Sequence, residues 1–106
     1  MTPSPEESID VRVARRLRMA RINAGLTVRE AAARLGTDDH SLLVRYENGA
    51  VRPPLERLHA LAQVYGLTLS ALLASDDTLV PLIAALERAN PQVWRSLAEL
   101  LTGGLI

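Results

Sequence analysis

Hydrophobic residues recur every three or four positions along most of the chain, which is the spacing of helices that bury one face. From Asp10 to Ala24, this face carries Val13, Leu17 and Ala20. No stretch alternates convincingly between apolar and polar residues at the two-residue period of a strand. The pattern therefore predicts an all-α fold without a sheet.

Residues that favour helix ends divide the chain into seven predicted helices. Asp10 is the predicted N-cap of the first helix, and Gly25 is the residue that ends it. The segment from Thr27 to Glu30 has the form of a capping box, in which each of these two side chains accepts from the other residue's amide. The later helices are predicted over residues 28–35, 39–47, from Pro53–Pro54 to Gly66, 69–73, 78–89 and from Pro91 to Gly103–Gly104.

The composition excludes several kinds of chemistry. The 106 residues contain no cysteine and only two histidines, His40 and His59, so we expect no disulfide, cysteine nucleophile, structural zinc site or cofactor. The histidines lack a paired acid–base setting at motif spacing, and we expect no enzymatic activity. There is no long apolar run and no hydrophobic N-terminal segment, which predicts a cytoplasmic protein that neither spans a membrane nor is secreted.

The formal net charge of zero conceals a segregated pattern. Residues 1–10 carry −3, residues 11–73 carry +5 and residues 74–106 carry −2. All twelve basic residues are arginines, whose planar donors suit phosphate and guanine, although codon usage in a GC-rich genome equally explains the absence of lysine. We predict a disordered acidic tail over residues 1–9, a helical domain over 10–74 and a further helical segment over 75–106.

Two short helices joined by a glycine-containing turn, here residues 28–35 and 39–47, have the arrangement of a helix-turn-helix. Residues 12–73 resemble the XRE family of phage Cro and repressor type. The motifs that carry the resemblance are RINAGLT at 21–27, EAA at 30–32, LG at 35–36, YENG at 46–49 and the proline, leucine and tyrosine positions from Pro53 to Leu73. The resemblance implies a five-helix DNA-binding domain whose third helix, residues 39–47, enters the major groove.

The resemblance also implies roles for individual residues. Base contacts fall to His40, Ser41, Val44 and Arg45, and phosphate contacts to Thr27, Arg29, Asn48, Gly49 and Arg52. Arg21 and Glu47 match a structural ion pair that ties the first helix to the end of the recognition helix. The alternative interpretation of Arg45 is a solvated surface residue.

The turn before the recognition helix departs from the family pattern. One additional residue lies between Gly36 and Glu47, which shifts the register of residues 37–41. Asp38 or Asp39 caps the third helix, and the alternative for Asp39 is a hydrogen bond from a cytosine amino group. Helix capping is the favoured interpretation.

The two C-terminal helices carry apolar stripes that they cannot bury well against each other alone. Either they fold back on the fifth helix as intrachain core, or they pair with a second copy of the chain. We favour the second alternative, with Trp94 as the anchor of the interface. The expected dimer contacts are Leu86, Val93, Trp94, Leu97, Leu100 and Leu101.

These features predict a sequence-specific DNA-binding regulator, a repressor that binds double-stranded DNA at a palindromic operator as a homodimer. The alternative function is that of an antitoxin, whose C-terminal helices bind a toxin while DNA binding serves autoregulation. A protease or a co-regulator is a further partner of the same kind. The 33 residues after position 73 are too few to enclose a metabolite pocket, so no sensor domain is expected.

Overall fold

The computed structural model describes residues 7–103, which form helices joined by short connections and contain no strand. The all-helical prediction is therefore confirmed. The helices are α1 (Ile9–Asn23), α2 (Val28–Leu35), α3 (His40–Glu47), α4 (Leu55–Val64), α5 (Leu69–Leu72), α6 (Leu79–Arg88) and α7 (Pro91–Thr102).

The start and end of α2 follow directly from the local sequence. The amide of Glu30 donates to Thr27 Oγ1 at 3.1 Å, and the amide of Thr27 donates to Glu30 Oε1 at 3.0 Å. Gly36 ends the helix at φ +86°, a left-handed conformation that glycine adopts without a steric penalty. The predicted capping box is confirmed, and it fixes the boundaries of the short helix that precedes α3.

The N-terminus of α1 differs from the prediction. Ser8 is the N-cap, since its side chain accepts a 3.1 Å hydrogen bond from the amide of Val11. The prediction that Asp10 caps this helix is wrong, because its carboxylate is bound to Arg52. Most of the predicted disordered tail lies outside the described residues. Within the described part, Glu7 accepts hydrogen bonds from Arg15 and α1 already includes residue 9.

The first five helices enclose one hydrophobic core. α1 packs against α3, α4 and α5, while α2 packs against α3 and α4. The largest fully buried side chains are Leu17, Leu43, Leu61 and Leu72, which come from four different helices. Removing such apolar surface from water is the main stabilising contribution to a domain of this size. The core thus buries one face of α3 and leaves the opposite face exposed to solvent.

A buried arginine joins α1 to the segment that follows α5. Arg16 is 5% exposed, and its Nη1 donates to the carbonyl of Leu72 at 3.0 Å and to that of Ala74. These carbonyls lie at the end of α5, where a helix lacks internal donors. Arg16 Nε also donates to Asp77 Oδ1 at 3.0 Å. The guanidinium therefore caps the C-terminus of α5 and also binds the loop before α6.

Asp77 is shared between two arginines of α1. Arg15 donates to its two carboxylate oxygens at 2.9 and 3.1 Å, and this hydrogen bonding holds the pKa of Asp77 below its usual range. Arg15 also bonds Glu7 in a bidentate geometry. Two acidic residues from opposite ends of the chain thereby meet on α1.

The two C-terminal helices differ in how they are attached. α6 packs against α5, buries Ala84 and is tied by a 2.9 Å hydrogen bond from Thr68 to Glu87. By contrast, no residue of Pro91–Thr102 is buried, and Trp94 donates its indole N–H to the carbonyl of Leu86. α6 therefore folds back on the fifth helix, as the first of the two alternatives expects. α7 does not do so and lies at the periphery.

No helix within 7–103 is long and apolar enough to cross a membrane. Across the same residues, His, Asp and Glu side chains form no group of three that could hold a metal ion.

We predict that Asp77→Ala lowers the free energy of unfolding by about 3 kcal/mol, because it leaves the buried charge of Arg16 without its carboxylate. Urea unfolding at neutral pH measures this. Asp76→Ala is the matched control, with an expected loss of at most about 1 kcal/mol, since Asp76 accepts only an exposed bond from the Thr78 amide. Equal losses for the two variants would contradict a structural role of the Arg16–Asp77 contact.

Candidate nucleic-acid interface

Helix α3, the predicted recognition helix, presents a continuous exposed stripe to solvent. Its exposed residues are Ser41, Val44, Arg45 and, at the C-cap, Asn48. These positions are spaced i, i+3, i+4 and i+7, so they lie on one face of the helix. The opposite face is buried through Leu43 and Tyr46. Three of the four residues predicted to contact bases are therefore available together, and Val44 exposes 43% of its surface.

The start of α3 is organised by Asp39. Its carboxylate accepts from the Leu42 amide at 3.0 Å and from the Ser41 hydroxyl at 2.6 Å. The predicted helix-capping role of Asp39 is confirmed. The hydrogen bonds from Ser41 and from the Leu42 amide hold the pKa of Asp39 below its usual range. Asp39 is thus ionised at neutral pH. Its negative charge lies at the positive, N-terminal end of the α3 dipole, where it stabilises the helix.

This arrangement determines what Ser41 and His40 can offer to a base. The Ser41 hydroxyl hydrogen is used by Asp39, so Ser41 is left as a hydrogen-bond acceptor. An acceptor at this position suits the amino group of adenine or cytosine. The fourth predicted base-contacting residue, His40, is half-buried, and its amide donates to the Asp38 carbonyl at 3.0 Å. His40 therefore lies at the edge of the exposed stripe.

The orientation of α3 is fixed by an ion pair with α1. Arg21 Nε and Nη2 donate to the two carboxylate oxygens of Glu47 at 2.8 and 3.0 Å. Arg21 Nη1 also donates to the carbonyl of Leu26 at 2.9 Å. Both side chains of the pair are largely buried. The contact that the resemblance implied is present, and it connects α1, the turn before α2 and the end of α3.

Tyr65 lies close to this ion pair. Burial, with a smaller contribution from the charge of Glu47, raises the pKa of Tyr65 to about 12. The phenol therefore stays neutral at physiological pH and adds no second negative charge beside Glu47.

The N-terminus of α2 places two predicted phosphate contacts at the surface. Thr27 and Arg29 are both exposed. The oxygen of the Thr27 hydroxyl accepts from the Glu30 amide, which leaves the hydroxyl hydrogen free to donate to a phosphate. Positive charge and donors at a helix N-terminus are the features that bind phosphate groups.

Most backbone amides in the turn after α3 already donate hydrogen bonds within the protein. The amide of Asn48 donates to the Val44 carbonyl at 3.0 Å, whereas that of Gly49 makes only a long, 3.4 Å contact to Tyr46. Asn48 Oδ1 accepts from the Ala50 amide at 2.9 Å, so its NH₂ group points away from this bond. If Asn48 contacts a phosphate, the donor is therefore its side-chain NH₂ group and not its backbone amide. Gly49 stands at φ +78°, a left-handed conformation, and keeps its amide weakly bonded.

Arg52 follows this turn and is paired with α1. Its Nε and Nη2 donate to the carboxylate oxygens of Asp10 at 2.9 and 2.7 Å. The bond from Arg52 holds the pKa of Asp10 below its usual range. Arg52 was predicted as a phosphate contact, and the partnership with Asp10 was not anticipated. The two residues are 42 positions apart, and no local motif indicates their contact.

Comparison with known proteins matches residues 12–75 to the helix-turn-helix domain, which is 64 of the 106 residues. The chain belongs to the helix-turn-helix domain family. This agrees with the resemblance found in residues 12–73, and within the domain α2 and α3 are the two helices of the motif. No curated protein matches the chain.

The helix-turn-helix domain is also similar to a solved structure. A crystal structure of the transcriptional regulator BswR superposes with a TM-score of 0.71 and 24% sequence identity, covering 85% of this chain and 92% of that chain. Residues 1–75 are about 71% of the chain, so the shared fold extends beyond residue 75.

We predict that Glu47→Ala lowers the free energy of unfolding by about 3 kcal/mol, because Arg21 is left as an unpaired, largely buried charge. The double variant Arg21→Met/Glu47→Leu recovers most of this loss, since apolar side chains of similar size replace both charges. Thermal and urea unfolding of the three proteins measure the difference. A single variant as stable as the unchanged protein would show that the ion pair does not fix the packing of α1 against α3.

Proposed function

We propose that the protein is a sequence-specific DNA-binding transcription regulator that reads the major groove with α3. The observation that carries the proposal is the exposed stripe of Ser41, Val44, Arg45 and Asn48 on a helix whose other face is buried. Helix-turn-helix domains insert such a helix into the major groove, where side chains near its N-terminus contact base edges. BswR, whose fold is shared, is a transcriptional regulator.

The exposed side chains suggest a division of contacts. Arg45 suits bidentate hydrogen bonding to guanine, and Val44 beside it suits contact with a thymine methyl group. Ser41 and His40 lie one turn earlier and are proposed to contact neighbouring bases. Contacts with the phosphates on either side, which set the position on DNA without reading sequence, are proposed for Thr27, Arg29, Asn48, Gly49 and Arg52.

The Arg45→Ala variant tests the assignment of the base contact. We expect a loss of about 1–3 kcal/mol in binding to the preferred site and a relaxed preference at one position in each half-site, because a bidentate contact to guanine is removed. Selection of bound fragments from random DNA, followed by titration of the selected site, measures both quantities.

The matched control is Arg88→Ala, which removes an exposed arginine from the end of α6 outside the matched domain. It should leave base preference unchanged. If Arg45→Ala weakened all DNA sequences equally, Arg45 would be a phosphate contact instead. In that case the salt dependence of binding would also become less steep, by about 0.9 in the logarithmic slope.

We further propose that the regulator acts as a homodimeric repressor on a palindromic operator, with α7 as the contact between the two copies. Leu100 and Leu101 are 79% and 81% exposed, and Val93 and Trp94 are also exposed. Large exposed apolar side chains grouped on one helix are typical of an interaction surface. Occupying a promoter requires no domain beyond the helix-turn-helix unit and the dimer contact, and this supports repression.

The sequence of α7 favours a second copy over an unrelated partner. If two α7 helices pack antiparallel about Leu97, residues at equal distances from it on either side face each other. Trp94 then lies at the level of Leu100, and Val93 at the level of Leu101, so apolar side chains of one helix meet apolar side chains of the other. A two-fold interface needs this kind of self-complementarity, since each contact occurs twice.

We predict that Leu100→Glu/Leu101→Glu converts the dimer into a monomer, because four carboxylates would be brought into an apolar contact. Light scattering at increasing concentration measures the mass, which should fall from twice the 11.5 kDa of the chain to that of a single chain. Leu55→Glu is the control, since it adds a charge at an exposed leucine of α4. An unchanged protein that is monomeric throughout would remove the dimer proposal and favour the antitoxin-type alternative, in which α7 binds a different protein.

A further inference from the structure

Arg52 is held at the surface with one edge of its guanidinium occupied. Nε and Nη2 bind Asp10, while 78% of the Arg52 side chain remains exposed. An arginine has five N–H donors, and this bidentate contact uses two of them. Within residues 7–103, the remaining donors on Nη1 and Nη2 have no hydrogen-bond partner. One donor on Nη1 and one on Nη2 form a second fork on the adjacent edge of the same planar group.

We propose that Asp10 is a positioning residue for DNA binding, which orients the free edge of Arg52 toward a backbone phosphate. The inference rests on the proposed function, since it concerns how the helix-turn-helix domain contacts DNA. Parallel N–H donors of an arginine fork bind phosphate oxygens with defined geometry. The Asp10 carboxylate on the adjacent Nε/Nη2 edge fixes the plane of this fork before DNA binds.

The position of Arg52 in the chain supports this assignment. It lies three residues beyond Gly49, in the connection that follows the recognition helix, and is flanked by half-buried Val51 and Pro53. Its backbone is therefore anchored while its side chain extends outward. Asp10 lies in the first turn of α1, so the ion pair also links α1 to this connection.

The size of the two opposing effects indicates that orientation prevails over repulsion. Fixing a flexible arginine in advance removes an ordering cost that corresponds to about three- to tenfold in affinity. The Asp10 carboxylate also repels the phosphate across the width of the guanidinium, roughly 6–7 Å. At the dielectric constant of bulk water and at physiological salt, this repulsion corresponds to about twofold in affinity. The bulk-water value is appropriate because the side chains of Arg52 and Asp10 are 78% and 47% exposed. Asp10 is therefore expected to strengthen DNA binding although it is acidic.

A double-mutant cycle tests the proposal. The full chain, Asp10→Asn, Arg52→Ala and the double variant are titrated with a random-sequence DNA duplex over a range of salt concentrations, because a phosphate contact does not depend on the operator. Asp10→Asn is expected to weaken binding about three- to tenfold in the unchanged protein and to have no effect when Arg52 is already alanine. Arg52→Ala is expected to reduce the logarithmic salt slope by about 0.9. Thermal unfolding shows whether each variant is folded.

Each remaining outcome overturns the inference in a distinct way. Tighter binding by Asp10→Asn would make Asp10 an inhibitor of the Arg52 contact. Equal effects of Asp10→Asn in both backgrounds would show that the two residues act independently, and an unchanged salt slope in Arg52→Ala would remove Arg52 from the phosphate contacts. In these three cases the unchanged protein still binds DNA, so the proposed function stands. Failure of the unchanged protein to bind any duplex would overturn both proposals.

Discussion

The bidentate contact between Arg21 and Glu47 is the constraint on which the presentation of α3 depends. α3 is only eight residues long and its own hydrogen bonds are too few to hold it as an isolated helix. Its inner face is held by Leu43 and Tyr46, but apolar packing is non-directional and tolerates small rotations. The two parallel N–H donors of Arg21 bind Glu47 in a defined direction. A third hydrogen bond, from Arg21 to the Leu26 carbonyl, also connects the turn before α2 to this pair. The angle of α3 relative to α1 is thus fixed by directed bonds.

Arginine serves two purposes in this chain, and charge counting alone does not separate them. The segment 11–73 carries ten arginines, yet Arg15, Arg16, Arg21 and Arg52 form ion pairs within the protein. Their partners include Glu7, Asp10 and Asp77, which come from the acidic ends of the sequence. These three acidic residues therefore neutralise part of the basic segment. Of the other six arginines in this segment, Arg29 and Arg45 are exposed at the proposed contacts, and Arg52 keeps free donors beside its ion pair.

Local signals predicted most of the helices, because capping residues act on the few amides beside them. Thr27, Asp39 and the left-handed Gly36 fix the ends of α2 and α3 in this way. The predicted N-cap of α1 is wrong because Ser8 and Asp10 are both residue types that cap helices well. The Asp10 carboxylate instead binds Arg52, which is distant in the sequence. The outward stripe of α3 and its pairing with α1 were available only through the family resemblance. The contacts of Arg16 with Asp77 and of Asp10 with Arg52 span 61 and 42 residues, and no local pattern encodes them.

The contacts of α6 and α7 bear differently on the predicted domain boundary near residue 74. The sequence placed the boundary near residue 74, since the family motifs stop there and both later helices carry apolar stripes. However, Asp77 in the loop before α6 compensates buried Arg16, and α6 itself buries Ala84 and binds Thr68 through Glu87, so contacts with the first five helices continue beyond residue 74. α7 makes no comparable contribution, because it buries no residue of its own. Its exposed leucines are therefore not explained by the stability of this chain, and the proposed pairing of two α7 helices about a two-fold axis would account for their apolar character.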